Sequence, residues 1–171
     1  MLEFGCGYYS TLTFLNRSAF PHLERLESIE NDVAWAGTIQ ETATSDARWT
    51  LKLLDGEISE SVSTLDLEAF DLILIDDSQT SAQRVCTIRE VSMRAPHRPW
   101  IVIHDFEVEE YRRAAAGFRQ GHRFKAYNPN TGVLWNGTTH AHRAKSIDRI
   151  VKANARALEP DDISGWLNAF R

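Results

Sequence analysis

At 171 residues, 43% of them hydrophobic and 25% charged, the chain is long enough for one domain with a real core. No apolar run approaches the ~20 residues needed to cross a bilayer, and the first residues lack the basic start and cleavage site of a secretory leader, so a cytoplasmic protein without membrane contact is expected. Two cysteines, Cys6 and Cys86, make neither a disulfide framework nor a metal cluster.

The chain opens on Met1-Leu-Glu-Phe-Gly-Cys-Gly-Tyr-Tyr-Ser-Thr, a short apolar strand running into two glycines and a helix start. Gly5 and Gly7 carry no side chain, so the backbone there can turn sharply and approach a ligand closely. Ser10 and Thr11 are positioned to cap a helix from Ser10 to Asn16. Gly-x-Gly after a strand also occurs in dinucleotide-binding folds and in plain tight turns. Arg25–Glu30 reads as a second strand with Glu30 at its tip, and Val33, Ala36, Ile39 and Ala43 follow at helical spacing. An acid roughly 20 residues beyond a glycine loop is where a doubly wound fold ligates ribose hydroxyls, although the spacing here is slightly longer. Trp49–Leu54 is a third strand, turned at Asp55-Gly56-Glu57.

Phe70-Asp-Leu-Ile-Leu-Ile75 reads as a strand buried on both faces, and Asp76 and Asp77 stand at its tip. Adjacent carboxylates at such a place must be hydrated, hydrogen-bonded, paired or bound to a cation. The next helix shows Ala82, Val85, Ile88 and Val91 on one stripe and ends at Pro96 and Pro99. Trp100–Ile103 is another buried strand, tipped by His104 and Asp105, with a helix marked by Val108, Tyr111, Ala115 and Phe118 behind it. Arg123–Tyr127 and Val133–Trp135 then read as a hairpin around Asn128-Pro-Asn-Thr-Gly132.

This alternation predicts an α/β fold: a doubly wound, mostly parallel Rossmann-like sheet with a C-terminal antiparallel hairpin and a helical tail. Ligands bind beyond the carboxyl ends of its strands, and Gly5, Gly7, Glu30, Asp76, Asp77, His104 and Asp105 all fall there. Residues 1–137 are expected to form the ligand-binding domain and 138–171 a helical extension packed on it. In that extension Ile147, Ile150, Val151, Ala155 and Leu158 make one stripe, and Ile163, Trp166, Leu167 and Phe170 make another. His140 and His142 have no third metal ligand beside them.

Leu2-Glu-Phe-Gly-Cys-Gly7 resembles the first motif of class I S-adenosylmethionine (SAM) dependent methyltransferases, with Tyr9 in place of a third glycine. Asp76-Asp77 resembles that family's fourth motif, and Ile103-His-Asp105 resembles the strand tip of many small-molecule and polysaccharide O-methyltransferases. The resemblance spans residues 1 to 136. It implies SAM as cofactor, held by Glu3, Gly5, Gly7, Glu30, Asp55 and Asp77, and methyl transfer to oxygen with His104, Asp105 and Asp76 as catalytic residues. His104 and Asp105 are the expected working pair; a divalent cation on Asp76 and Asp105, as in metal-dependent catechol-type members, is the alternative. It further implies an N-terminal segment ahead of Met1 that covers the site, so that the chain as given is expected to be open there or to borrow cover as a homodimer.

From Tyr111 to Leu158 the only acid is Asp148, against ten Lys and Arg residues. That asymmetry fits a solvated surface or an anionic acceptor, and the expected partner is a small molecule or an acidic sugar. Nucleic-acid methylation is a weaker alternative, since Asp76-Asp-Ser-Gln occupies the place of the Asn/Asp-Pro-Pro-Tyr signature. A SAM- or nucleotide-binding module without catalysis is the other.

Overall fold

The first strand, β1 (Leu2–Phe4), is buried at every residue, because it lies inside the sheet with a parallel neighbour on each side. The others are β2 (Leu26–Glu30), β3 (Trp49–Leu53), β4 (Leu72–Ile75), β5 (Trp100–Ile103), β6 (Gln120–Phe124) and β7 (Thr131–Trp135). They run across one sheet in the order β3-β2-β1-β4-β5-β7-β6. The first five are parallel, whereas β7 lies antiparallel to both β5 and β6. This computed structural model describes residues 1–43, 46–78, 80–126 and 128–137, together with Ser146 and Arg149. The two tail stripes and the His140/His142 pair lie outside the described residues.

Connections between the parallel strands carry the helices α1 (Thr11–Leu15), α2 (Val33–Thr42), α3 (Ile58–Ser61) and α4 (Ser81–Arg94); α5 (Glu109–Ala114) follows β5. The core is aliphatic, with Leu2, Phe4, Ile73, Ile75, Ile101 and Ile103 from the strands packed on Ile58, Val62, Ile88 and Val91. Both faces of the central strands are covered, which is why their sequences are near-continuous apolar runs.

Several expectations shift in register. In α4 the buried face is Arg84, Thr87, Ile88, Val91 and Ser92, whereas Ala82 is exposed. An apolar count misses this because three of the inward residues are polar and spend their groups inside: Thr87 Oγ1 donates to Asp77 Oδ2 at 2.6 Å, and Ser92 Oγ accepts from Gly117 N at 2.9 Å. The helix stops because Ala95, ahead of Pro96, is barred from helical geometry and turns left-handed at φ 45°. In α2, Ala36 and Ile39 are buried but Val33 is exposed.

The hairpin strands begin earlier than their apolar residues suggest. Gln120, Gly121 and His122 form the start of β6, and Gln120 Oε1 accepts from Trp135 Nε1 at 3.0 Å. Gly132 lies in β7 rather than in the turn, and a Cβ there would meet the Phe106 ring at 2.3 Å. Asn136 is packed in, donating from Nδ2 to the Pro96 carbonyl at 3.1 Å and accepting from Arg119 N at 3.0 Å.

Candidate active site

The carboxyl ends of β1, β2, β4 and β5 bring together most of the residues singled out above. After β1, Gly5 takes φ +83°, and its missing Cβ would lie 2.6 Å from both the Asp76 carbonyl oxygen and Asp77 Cα. The glycine is therefore required where the turn of β1 touches the tip of β4. Gly7 is different, because a Cβ there would meet only Ser10 Oγ, at 3.3 Å, so its surface faces open space.

The loop is propped from below. Thr11 Oγ1 accepts from Gly7 N at 2.9 Å and donates to Glu3 Oε2 at 2.7 Å, where Ser28 Oγ also donates at 2.6 Å. Thr11 thus does the work expected of a Ser10 cap, since Ser10 makes no side-chain capping bond. Glu3 lies wholly buried beneath the loop, and its Oε1 has no hydrogen-bond partner. Burial pushes its carboxyl up to about 7, against the opposing pull of the Ser10, Ser28 and Thr11 hydroxyls.

Glu30, at the tip of β2, accepts from the Asn31 and Asp32 amides at 2.7 and 2.9 Å through Oε1. Its Oε2 accepts from Cys6 N at 3.1 Å and from the Cys6 thiol at 3.7 Å. All four lone-pair directions of the carboxylate are engaged, the thiol contact being by far the weakest. Burial and the Glu30 charge push the Cys6 thiol far above its ordinary range, so it is a protonated donor.

Two clefts open along this edge. One, of about 710 Å³, is lined by Glu30, Asp32, Val33, Trp35, Asp76 and Gln83 among others. The second, of about 520 Å³, is lined by Gly7, Tyr8, Tyr9, Ser10, Asp76 and His104 among others. Cys6, Trp35 and Asp76 border both. Trp35 forms the wall between them, its Nε1 donating to the Cys6 carbonyl at 2.6 Å and its ring standing edge-on to Tyr8 at 5.5 Å. Asp55 sits exposed in the turn after β3 and lines neither cleft itself, but its neighbour Gly56 accepts from Asn31 Nδ2 at 3.1 Å, at the border of the first.

The tips of β4 and β5 hold charge. His104 Nδ1 lies 3.3 Å from Asp76 Oδ1 and 3.2 Å from Asp105 Oδ1, so the ring proton belongs on Nδ1 and Nε2 is the free nitrogen. The bond to Asp76, followed by the two negative charges, raises the histidine above its ordinary pKa despite partial burial. Asp77 points the other way. It is buried against Thr87, its Oδ1 is unpartnered, and burial pushes it up to about 6. Of the adjacent acids only Asp76 reaches a cleft.

Sequence reasoning missed Arg84. Its Nη2 lies 2.9 Å from Asp76 Oδ1 and its Nη1 2.9 Å from Asp105 Oδ2, with the side chain 8% exposed. Asp76, His104 and Asp105 offer ligand atoms within 4.8 Å of one another, the size of a cation site. The guanidinium takes one oxygen of each carboxylate and leaves one on each, so a divalent cation held there would sit beside a fixed positive charge.

No protein-family model and no curated protein matches the chain. Solved structures do. The N-methyltransferase NodS from Bradyrhizobium japonicum WM9 aligns with TM-score 0.51 and 14% identity over 78% of this chain and 82% of that one. A protein of Corynebacterium glutamicum aligns with TM-score 0.54 and 12% identity over 82% and 73%. PigF, solved with SAH, aligns with TM-score 0.51 and 16% identity over 78% of this chain and 54% of its own. With β7 inserted antiparallel between β5 and β6, the agreement decides the architecture. The fold is that of the class I SAM-dependent methyltransferases. In that fold the glycine loop, the acid at the β2 tip and the tips of β4 and β5 share one edge, as they do here. Among the described residues no helix is long and apolar enough to cross a membrane.

Proposed function

We propose that the protein is a SAM-dependent methyltransferase that uses His104 as a general base on an acceptor hydroxyl of a small molecule or acidic sugar. The observation that carries this reading is a shared cleft: Gly7 of the glycine loop and His104 border the same 520 Å³ space. The chain's own groups fit the cofactor. Gly7 leaves room for its methionine end, and Glu30, lining the adjoining cleft, can take one ribose hydroxyl by giving up only the long Cys6 thiol contact. Asp55 is the adenine-side candidate from the resemblance. Bound there, SAM supplies a methyl group activated by its sulfonium.

The rest is the work of side chains. Asp76 and Asp105 hold His104 by Nδ1–H, so that in the neutral ring Nε2 is the nitrogen left available for the acceptor proton. Alignment of acceptor and cofactor in one cleft supplies much of the rate by itself. Because the base must be neutral and its pKa is raised, kcat/KM should climb with pH through a value above the ordinary histidine range.

A mass-spectrometric screen for methyl transfer to acidic sugars, phenols, nucleotides and amines tests the proposal. Amines belong in it because NodS, which shares the fold, is an N-methyltransferase. His104→Ala should lose on the order of 10²- to 10⁴-fold in kcat on the acceptor found, with EDTA without effect on wild type. SAM binding without transfer to any class would mark a binding module instead, and NAD binding without SAM binding would overturn the reading.

A further inference from the structure

We propose that Arg84 is a positioning residue, an internal cation that joins Asp76 to Asp105 and so fixes the pair of carboxylates between which His104 Nδ1 sits. This rests on His104 as the base of the proposed reaction. Arg84 reaches the strand tips from α4 behind them and makes four directed contacts. Nη2 and Nη1 pair with Asp76 Oδ1 and Asp105 Oδ2, each at 2.9 Å, Nε donates to the Asp77 carbonyl at 2.7 Å, and Nη2 donates to the Ser78 carbonyl at 3.2 Å.

Two of those partners stand on left-handed backbone, Ser78 at φ 67° and Asp105 at φ 56°, conformations that side-chain-bearing residues avoid. Both turns are thereby tied to one rigid fork. Two carboxylates converging on one imidazole nitrogen repel each other, and a positive charge on their inner side offsets that. A lysine could supply the charge but not four directed bonds to two separate turns.

The charged and titratable groups that face Arg84 are Asp76 and Asp77 on the β4 tip, His104 and Asp105 on the β5 tip, and Tyr111 of α5, whose ring centroid is 5.5 Å from the guanidinium carbon. Glu107 lies further out, where it feels the His104 charge. A divalent cation could bind the two aspartates and His104 if their oxygens were free; here the guanidinium has taken the inner ones.

Wild type, Arg84→Gln and Arg84→Lys should be compared by NMR titration of His104, by thermal melting and by titration with Co²⁺. In Arg84→Gln the His104 pKa should rise, because a positive charge that depresses it is gone, and Co²⁺ binding should tighten at least tenfold over wild type. Arg84→Lys should return the pKa toward wild type. A folded Arg84→Gln with an unmoved His104 titration would show a mere structural brace and overturn the proposal. If both variants fail to fold, wild type decides: Co²⁺ binding abolished by Asp105→Asn would mean the carboxylates are free for a metal and would overturn it, whereas no binding supports it. None of these measurements needs SAM or an acceptor. Absence of methyl transfer would count against the proposed function alone.

Discussion

Within β1 and at the tip of β2 the carboxylates of Glu3 and Glu30 are buried and met by hydroxyls and backbone amides, whereas at the tips of β4 and β5 those of Asp76 and Asp105 are about one-third exposed and met by a guanidinium and an imidazole. The first arrangement is built from short-range geometry: a glycine that must be a glycine, a threonine four residues beyond Gly7, and amides next in sequence to the acid. The second depends on a residue from another element. One region is a rigid cradle made by the backbone; the other is a charge balance that removal of a single group would upset.

The sharpest way to break the cradle is Gly5→Ala. Its Cβ would collide with the backbone of Asp76 and Asp77, and its φ of +83° suits no other residue, so a loss of about 3 kcal/mol or more is expected in urea denaturation. A midpoint unchanged from wild type would show that β1 and β4 do not meet as described.

Next is the pH dependence of stability. A buried acid with a raised pKa binds a proton when folded that it lacks when unfolded. Stability therefore falls as pH rises from about 4.5, the ordinary value for a glutamate, to about 7, and Asp77, pushed up to about 6, acts in the same sense. Glu3→Gln, which keeps an oxygen for Thr11 and Ser28, should remove roughly 3 kcal/mol of that fall and leave the part due to Asp77, as read from denaturation curves at several pH values. An equally steep fall in the variant would place the titration elsewhere.

Glu30→Ala should weaken SAM binding by roughly 1.5 to 3 kcal/mol, measured calorimetrically, since it removes charge-assisted hydrogen bonds. Retained affinity would assign Glu30 to the amides of Asn31, Asp32 and Cys6 alone. The smallest effect on stability belongs to Gly7→Ala, where only Ser10 Oγ is near and a change within about 0.5 kcal/mol is expected. The bulkier Gly7→Val should fold as well and yet bind SAM poorly, because its side chain enters the cleft rather than the core.

The same contrast explains what could be read from the sequence. The alternation of strands and helices follows from apolar runs and helical stripes, and the glycine loop announces itself because its chemistry is local. His104, Asp105 and Asp76 stand out because they end buried strands. Arg84 was hidden, since within Ser81–Arg94 it looks like one more charge on a solvated face, and only the folded chain brings it beside residues 8 and 21 positions away. Nor could residue type tell Asp76 from Asp77; the pleat turns one outward and the other into the core.

Trp35 has a practical consequence. It is 39% exposed, stands between the two clefts and is fastened to the Cys6 carbonyl, so anything entering either space changes the polarity around its indole. The protein therefore carries its own optical reporter: the emission wavelength of Trp35, isolated by subtracting the spectrum of Trp35→Phe, should follow occupancy of the edge without any added label.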